Sequence, residues 1–387
     1  MQPKFYFEYP IDWLKDNQTH QVTFIQNIIK GCLELEAELV CIPTSFPSYG
    51  VKRLSSKNLL ISFHSFENPT NVLSYKEAPI NGLFSLDKTG YSGWSDIALN
   101  FDHHKKEIEG IKLVDANITI EYFQKQLLNG DSKHPQIIEN SLLPDNYILF
   151  PLQVRTDSVA VHSNLDMAKV LLELSLLSKK YKKNIVVKLH PYCNSEVIKA
   201  IQFIETENNP YFHSSNAHII KLIKNADKVL SCNSGASLEA LILGKDVSCF
   251  GNSEWYEITN KIKNIQDLEN IFNTPTQLEL TNFQKQYLTY LLKDYWIKYD
   301  DINAIKKALL TFKENDFDSS LNQDLYSQLN QNLLEKQIEL TNKQKKIEII
   351  EKDFIYMQKI LNYFRRRPWK VLKYYIQSRI VKFKKRK

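Results

Sequence analysis

The sequence predicts an α/β protein of two Rossmann-like domains facing a cleft, followed by a helical, coiled-coil tail. Three observations predict it. From YILFPLQ to VSCFG, short apolar runs alternate strictly with amphipathic stretches. A looser alternation of the same kind precedes them, and from Leu329 onward an apolar residue returns every seven. At 387 residues, 43% of them hydrophobic, the chain is long enough for two domains of ordinary size and a tail.

In order, residues 1–142 carry FYFEY, VTFIQNIIKGCLELEAELVCIP, NLLISFHS and IKLVDANITIEYFQKQLL, a βαβ-like rhythm. It is interrupted from Asn68 to Trp94 by a Gly-, Ser- and Pro-rich stretch that reads as irregular. Residues 143–316 form the second domain. There YILFPLQ, NIVVKLHP, YFHSS, KVLSC and VSCFG read as strands, with MAKVLLELSLLSKKY, SEVIKAIQFIETE, HIIKLIKNA and ASLEALILG as the helices between them. Such alternation specifies a parallel sheet covered on both faces, and further helices, roughly 282–314, close the domain. Residues 320–364 form a heptad segment on Leu333, Leu340, Ile347, Phe354 and Leu361, complemented by Leu329, Ile350, Met357 and Phe364. Lys336 and Lys343 spoil two seam positions, so a helical hairpin or short coiled coil is expected, with self-association or a partner enzyme as its use. Residues 365–387 mix Trp369, Tyr374, Tyr375 and Phe383 with a dense basic face, the composition of a segment lying on an anionic membrane. A solvated basic tail is the plainer alternative.

The net charge of +6 is misleading. Residues 354–387 hold twelve Lys and Arg and no acid, so the remaining 353 residues stand at 6 − 12 = −6. Basicity belongs to an appendage, and no nucleic-acid partner is expected. Five scattered cysteines never fall in a CxxC or Cys/His spacing, which argues against a zinc site or disulfide frame. No window approaches a membrane span and no signal peptide is recognisable, so a cytoplasmic location is expected.

Ligands of such sheets lie beyond the carboxyl ends of the strands, which is where the polar residues of the second domain stand. KLHPYC places Lys188 and His190 at one strand end, where an imidazole can donate to a phosphate oxygen. After KVLSC, the run Asn233, Ser234, Gly235, Ala236 and Ser237 is small enough to bring N–H groups and hydroxyls against a phosphate at a helix start. Glu239, one turn later, can accept from ribose hydroxyls. A plain strand–loop–helix turn with a capping serine would look similar. FPLQVRTDS adds Gln153, Arg155, Asp157 and Ser158, where a carboxylate can serve as nucleophile or base and Arg155 can neutralise an anionic sugar. Taken alone, Asp157 reads as an N-cap or a surface turn.

Together LQVRTDS, KLHP and SCNSGASLEALILGKDVSCFGNSEWY resemble the CMP-Kdo-dependent retaining β-Kdo glycosyltransferases of bacterial capsule and O-antigen assembly, and more distantly the bacterial CMP-sialic acid sialyltransferases. YKEAPINGLFSLDKTGYSGWSDIA resembles that group's acceptor-side loop, so the likeness runs over roughly residues 55–260. It implies a GT-B-like fold, with residues 1–142 on the acceptor side and 143–316 holding the donor. It further implies that Asp157 attacks the anomeric carbon, that His190 contacts the donor phosphate, and that Ser234, Gly235 and Glu239 hold the nucleotide. Glu77 or Asp87 would activate the acceptor hydroxyl. In the acceptor half His64, Tyr75, Tyr91 and Trp94 can stack on or bond a sugar, or can equally be core.

The 2-keto acid sugars of that family carry a carboxylate on the anomeric carbon, so an anionic nucleophile needs cationic help, for which Arg155 and Lys188 are the candidates. No clear DxD pair for a divalent ion stands out, Asp96 and Asp102 being scattered, so no metal and no resident cofactor is expected, the nucleotide sugar being the substrate. The expected partners are a CMP-sugar, a glycan or lipid-linked glycan acceptor, and the inner face of the cytoplasmic membrane, met through the basic tail. A CMP-sialic acid or UDP-sugar enzyme of the same fold is the alternative, and a catalytically inactive scaffold a second one.

Overall fold

The computed structural model describes residues 4–15, 19–45, 59–129, 143–313, 324–367, 369–370 and 373–374. Five strands open the chain: β1 (Lys4–Pro10), β2 (Glu38–Thr44), β3 (Leu59–Phe63), β4 (Val72–Glu77) and β5 (Leu83–Asp87). Strands β2, β1, β3 and β4 run parallel, whereas β5 turns back antiparallel on β4, pairing Glu77 with Phe84 and Ser74 with Asp87. The stretch expected to be irregular from Asn68 to Trp94 is therefore largely a hairpin. Its strands are short and buried, VLSYKE and LFSLD, and the turn between them needs Gly82 at φ +78°, so neither alternation nor length announces them.

The second sheet is β6 (Tyr147–Pro151), β7 (Asn184–Lys188), β8 (Phe212–Ser214), β9 (Ala226–Ser231), β10 (Asp246–Cys249) and β11 (Asn260–Lys261), in the order β11-β10-β9-β6-β7-β8, all parallel. Period-two alternation along β6 decides its two faces. Tyr147 and Leu149 join one apolar layer with the helices Leu113–Leu128, Ile219–Asn225 and Gly235–Ile242; Ile148 and Phe150 join another with Met167–Tyr181 and Glu196–Asn208. Asp166 and Ser195 cap the last two helices through their side chains, so local sequence starts each helix where the sheet needs it.

Two boundaries differ from expectation: the helix Leu113–Leu128, assigned from sequence to residues 1–142, packs in the core of the second sheet, and the second domain ends before residue 316. After the helix Asn282–Thr289 the chain leaves the second domain: β12 (Trp296–Lys298) pairs antiparallel with β5, completing the first sheet in the order β12-β5-β4-β3-β1-β2. The helix Ile302–Lys313 then packs in the first core, where Ile305 and Leu309 meet Phe24 and Ile28. Residues 296–313 therefore belong with the first sheet and not with 143–316. A three-residue strand carries no periodic signal, and only its partner β5 defines it.

The heptad segment is one uninterrupted helix, Asp324–Arg365, so no hairpin forms within it. The side chains of Leu329, Leu333, Lys336 and Leu340 lie outside the described residues. The helix docks on the second domain by Ile360, Tyr356, Tyr363 and Phe364. Apart from Phe364, its described seam points elsewhere: Ile347, Phe354 and Leu361 are 55, 64 and 61% exposed, against 6% for Ile360. In the basic segment Tyr374 packs on Phe203, 5.1 Å between ring centres, and Lys373 pairs with Glu207 at 2.8 Å, while Trp369 is exposed. Tyr375 and Phe383 lie outside the described residues, and no helix among those described is long and apolar enough to cross a membrane.

Candidate active site

The carboxyl ends of β6, β7 and β9 open onto one cleft, closed on its far side by the end of β4 and the turn after β5. Its wall includes Gln153, Asp157, Lys188, His190, Asn233, Ser234, Gly235 and Glu239 from the second domain, and Lys76, Glu77, Pro79 and Ser92 from the first. Three loops far apart in sequence meet there because a parallel sheet delivers successive strand ends to the same edge.

Asp157 sits at the start of a short 3-10 turn, Ser158–His162, which it caps. Its Oδ1 accepts from the Val159 amide and the Ser158 hydroxyl, each at 3.3 Å, and its Oδ2 accepts from Gln153 Nε2 at 3.3 Å. The capping role that such an aspartate has by default is thus real, and it leaves the carboxylate exposed on the cleft wall. His190 Nδ1 accepts from the Tyr192 amide at 3.2 Å. In the neutral ring that bond leaves the proton on Nε2, which makes the outer nitrogen a donor. Lys188 Nζ donates to the carbonyls of Ala217 and Asn216 at 2.9 and 3.3 Å.

Ser234 caps the helix Gly235–Ile242, its hydroxyl accepting from the Ala236 amide. Gly235 is required for close approach: a Cβ there would meet Pro79 Cβ at 2.9 Å, across the cleft. Asn233 Nδ2 donates to the carbonyls of Val159 and Asn252, tying together the loops after β6 and β10. Glu239 is buried, and among the described residues no donor reaches its carboxyl group. Burial alone pushes its pKa from 4.5 to about 8. A carboxyl group without a protein donor at the wall of a cleft can accept a hydrogen bond from whatever occupies the cleft.

Several expected site residues stand elsewhere. Arg155 is turned away from the cleft, its side chain 8% exposed and ion-paired to Asp166 at 3.2 Å and to Asp353 of the long helix. It therefore supplies no charge to a sugar. Asp87 is enclosed by donors, accepting from the amides of Thr89, Gly90 and Asp96 and from the hydroxyls of Thr89 and Tyr295. That carboxylate organises the turn after β5 and is not free to take a proton from a substrate. Ser237 is fully buried, donating to the Ser234 carbonyl at 2.6 Å and accepting from Trp255 Nε1 at 2.9 Å. Tyr91 and Trp94 are buried with Val159 and Phe66 at the domain seam, and Tyr75 lies in the first core. His64 stacks on Tyr91, 4.9 Å between centres, and is not part of the cleft wall. Glu77 does line the cleft, accepting from Gln21 Nε2 at 2.6 Å.

Two charged residues of the wall were not singled out from sequence. Lys76 precedes Glu77, its ammonium 4.4 Å from the centre of the Tyr91 ring. Glu254, in GNSEWY beyond β10, is buried and accepts from the Ser92 amide at 2.8 Å, burial raising its pKa. The signal for Glu254 was its place just past a strand of the same sheet edge; Lys76 had none, because the hairpin that carries it was not foreseen.

The family model for capsule polysaccharide biosynthesis protein matches residues 106–301, just over half of the chain. The chain belongs to that family. Among solved structures it is similar to two of Thermosulfurimonas dismutans KpsC. The β-Kdo 2,7 transferase is 16% identical over 79% of this chain and 99% of that one, and the β-Kdo 2,4 transferase is 13% identical over 79% and 98%, each with a TM-score of 0.44. Methanocaldococcus jannaschii UDP-GlcNAc 2-epimerase is 13% identical over 76% of this chain and 100% of that one, with a TM-score of 0.34. No curated protein matches. The layout of this capsule-biosynthesis family member, two α/β domains around one cleft, is GT-B-like.

Proposed function

We propose that the protein is a glycosyltransferase that moves Kdo from CMP-β-Kdo to a glycan or lipid-linked glycan acceptor in capsule or O-antigen assembly, with retention at the anomeric carbon. The observation that carries this reading is the meeting of Asp157, His190, the Ser234 helix entrance and the unpartnered Glu239 on one cleft wall. In the first displacement an Asp157 oxygen bonds to the anomeric carbon as its bond to the phosphate oxygen breaks, and CMP leaves with the electron pair. The Nε2–H of His190 and the amides at the helix entrance meet the charge that develops on the phosphate. In the second, Glu77 takes the proton of the acceptor hydroxyl, the hydroxyl oxygen bonds to the same carbon, and Asp157 is released. Two inversions make net retention. Glu239 accepts from the ribose hydroxyls, and Lys76 and Lys188 offset the carboxylate that a 2-keto sugar brings beside Asp157.

Intact-mass analysis of the protein with CMP-Kdo tests donor and mechanism together. An adduct of one Kdo on wild-type protein, absent from Asp157→Ala while CMP still binds, is expected. Adducts from CMP-sialic acid or UDP-GlcNAc instead would overturn the donor, and turnover by Asp157→Ala would overturn the nucleophile. No donor consumed at all would favour an inactive scaffold. Transfer is expected to persist in EDTA, because the His190 Nε2–H and the helix entrance can meet the charge on a departing monophosphate. Loss in EDTA that Mg²⁺ restores would refute this.

The basic segment would bring the protein to the inner face of the cytoplasmic membrane, and the exposed seam of Ile347, Ile350, Phe354, Met357 and Leu361 would pair with a second helix. Co-sedimentation with anionic vesicles and sedimentation equilibrium read these two uses separately.

A further inference from the structure

Tyr91 lies at the seam between the domains, 1% exposed, between His64 and the edge of Trp94. Its hydroxyl crosses to the second domain and donates to Ser158 Oγ at 3.0 Å. Ser158, engaged as an acceptor there, directs its own proton to Asp157 Oδ1 at 3.3 Å. Hydrogen bonds in such a chain polarise and orient one another. Burial holds the Tyr91 phenol far above its ordinary pKa, so it keeps the proton that it donates to Ser158 at any working pH.

The turn that follows Tyr91 is gripped by the same domain. Ser92, at φ +53°, donates its amide to Glu254, and a Cβ on Gly93 would stand 2.5 Å from the His162 ring. Trp94 meets that ring edge-on at 4.1 Å. His162 ends the 3-10 turn that Asp157 begins. Both ends of the turn bearing Asp157 are thus held by the segment Tyr91–Trp94 of the opposite domain, which is more than an interface requires.

We propose that Tyr91 is a positioning residue: acting through Ser158 it orients the Asp157 carboxylate, so the acceptor-side domain sets the geometry of the donor-side nucleophile. This rests on the reading of Asp157 as nucleophile. It assigns a catalytic consequence to the closed arrangement of the two domains, because separating them would remove the Tyr91 bond and free the Ser158 hydroxyl to rotate.

The test measures, on the full chain with CMP-Kdo, the rate of sugar–enzyme formation by quenched-flow mass analysis and, separately, the affinity for CMP. Tyr91→Phe and Ser158→Ala are each expected to slow formation on the order of tenfold, with CMP affinity unchanged to within about twofold. The double variant should be no slower than Ser158→Ala, since both changes cut one chain, and Ser158→Thr should restore the rate. Either single variant reacting at the wild-type rate, or losses that multiply in the double variant, would overturn the proposal. Asp157→Asn separates the two levels: if it reacts like wild type, the nucleophile reading fails. If it is inert while Tyr91→Phe is unimpaired, only the positioning role fails.

Discussion

Glu239 supplies a measurement that needs no substrate. Its carboxyl group is buried without a protein donor, and its pKa stands at about 8 in the folded chain against 4.5 for the free group. The folded value is the higher one, so the stabilising linkage is complete below pH 4.5 and is lost as pH rises through 8, because between those limits the native state retains a proton that the unfolded chain has released. Roughly 3.5 pH units at ~1.4 kcal/mol each amount to a loss on the order of 5 kcal/mol by pH 9, and about half of that at pH 6.5. Glu239→Gln keeps the shape and removes the titration. Urea unfolding of wild type and variant at pH 5, 7 and 9 is the assay, since every other titrating group cancels between the two. The curves should nearly coincide at pH 5 and separate by several kcal/mol at pH 9, the variant being the more stable. Parallel behaviour across the range would refute the claim that Glu239 is buried without a partner. In the proposed binding mode, ribose hydroxyls of CMP donating to the carboxylate would favour its ionised form. Binding to wild type at pH 7 should therefore release a proton, read as a buffer-dependent enthalpy, which Glu239→Gln abolishes.

Other outcomes follow from the same geometry. Asp353→Asn removes one partner of the buried Arg155 guanidinium and should weaken docking of the long helix by about 1–3 kcal/mol, read as faster proteolytic release of that helix. Unchanged proteolysis would show that Asp166 alone suffices. Lys76→Met should weaken binding of CMP-Kdo on the order of tenfold while leaving CMP alone unaffected, as calorimetry with both ligands would show. Equal effects on the two ligands would place Lys76 against the nucleotide and not the sugar.

How legible each part was depended on the range over which it is decided. Strands β6 to β10 and their helices stood in the sequence because their periods, caps and lengths are local. The arrival of Asp157, His190 and Ser234 at one edge follows from the parallel order that such alternation imposes. Where side chains point was not legible. Arg155, two residues before Asp157, would read as a cleft residue, yet its partner Asp353 is 198 positions away and draws it to the opposite side of the loop. Asp87 looked like a free acid because its Tyr295 donor is 208 positions distant. Tyr91 and Trp94 looked like sugar platforms because aromatic rings serve cores and ligands equally, and only packing against Val159 and His162 decides between them.

The sequence by itself therefore determined the alternating second domain, the small-residue loops at its strand ends and the basic tail, since each arises from interactions within a few residues. Tertiary structure alone decided the β4–β5 hairpin, the return of residues 296–313 to the first sheet, and which of the two faces of the long helix is covered. It also decided that a tyrosine of one domain touches the loop that carries the acid of the other. The hairpin aside, whose pairs run only from Glu77–Phe84 to Ser74–Asp87, those outcomes rest on pairs separated by tens to hundreds of residues, which no local pattern encodes and only the folded chain brings within bonding distance.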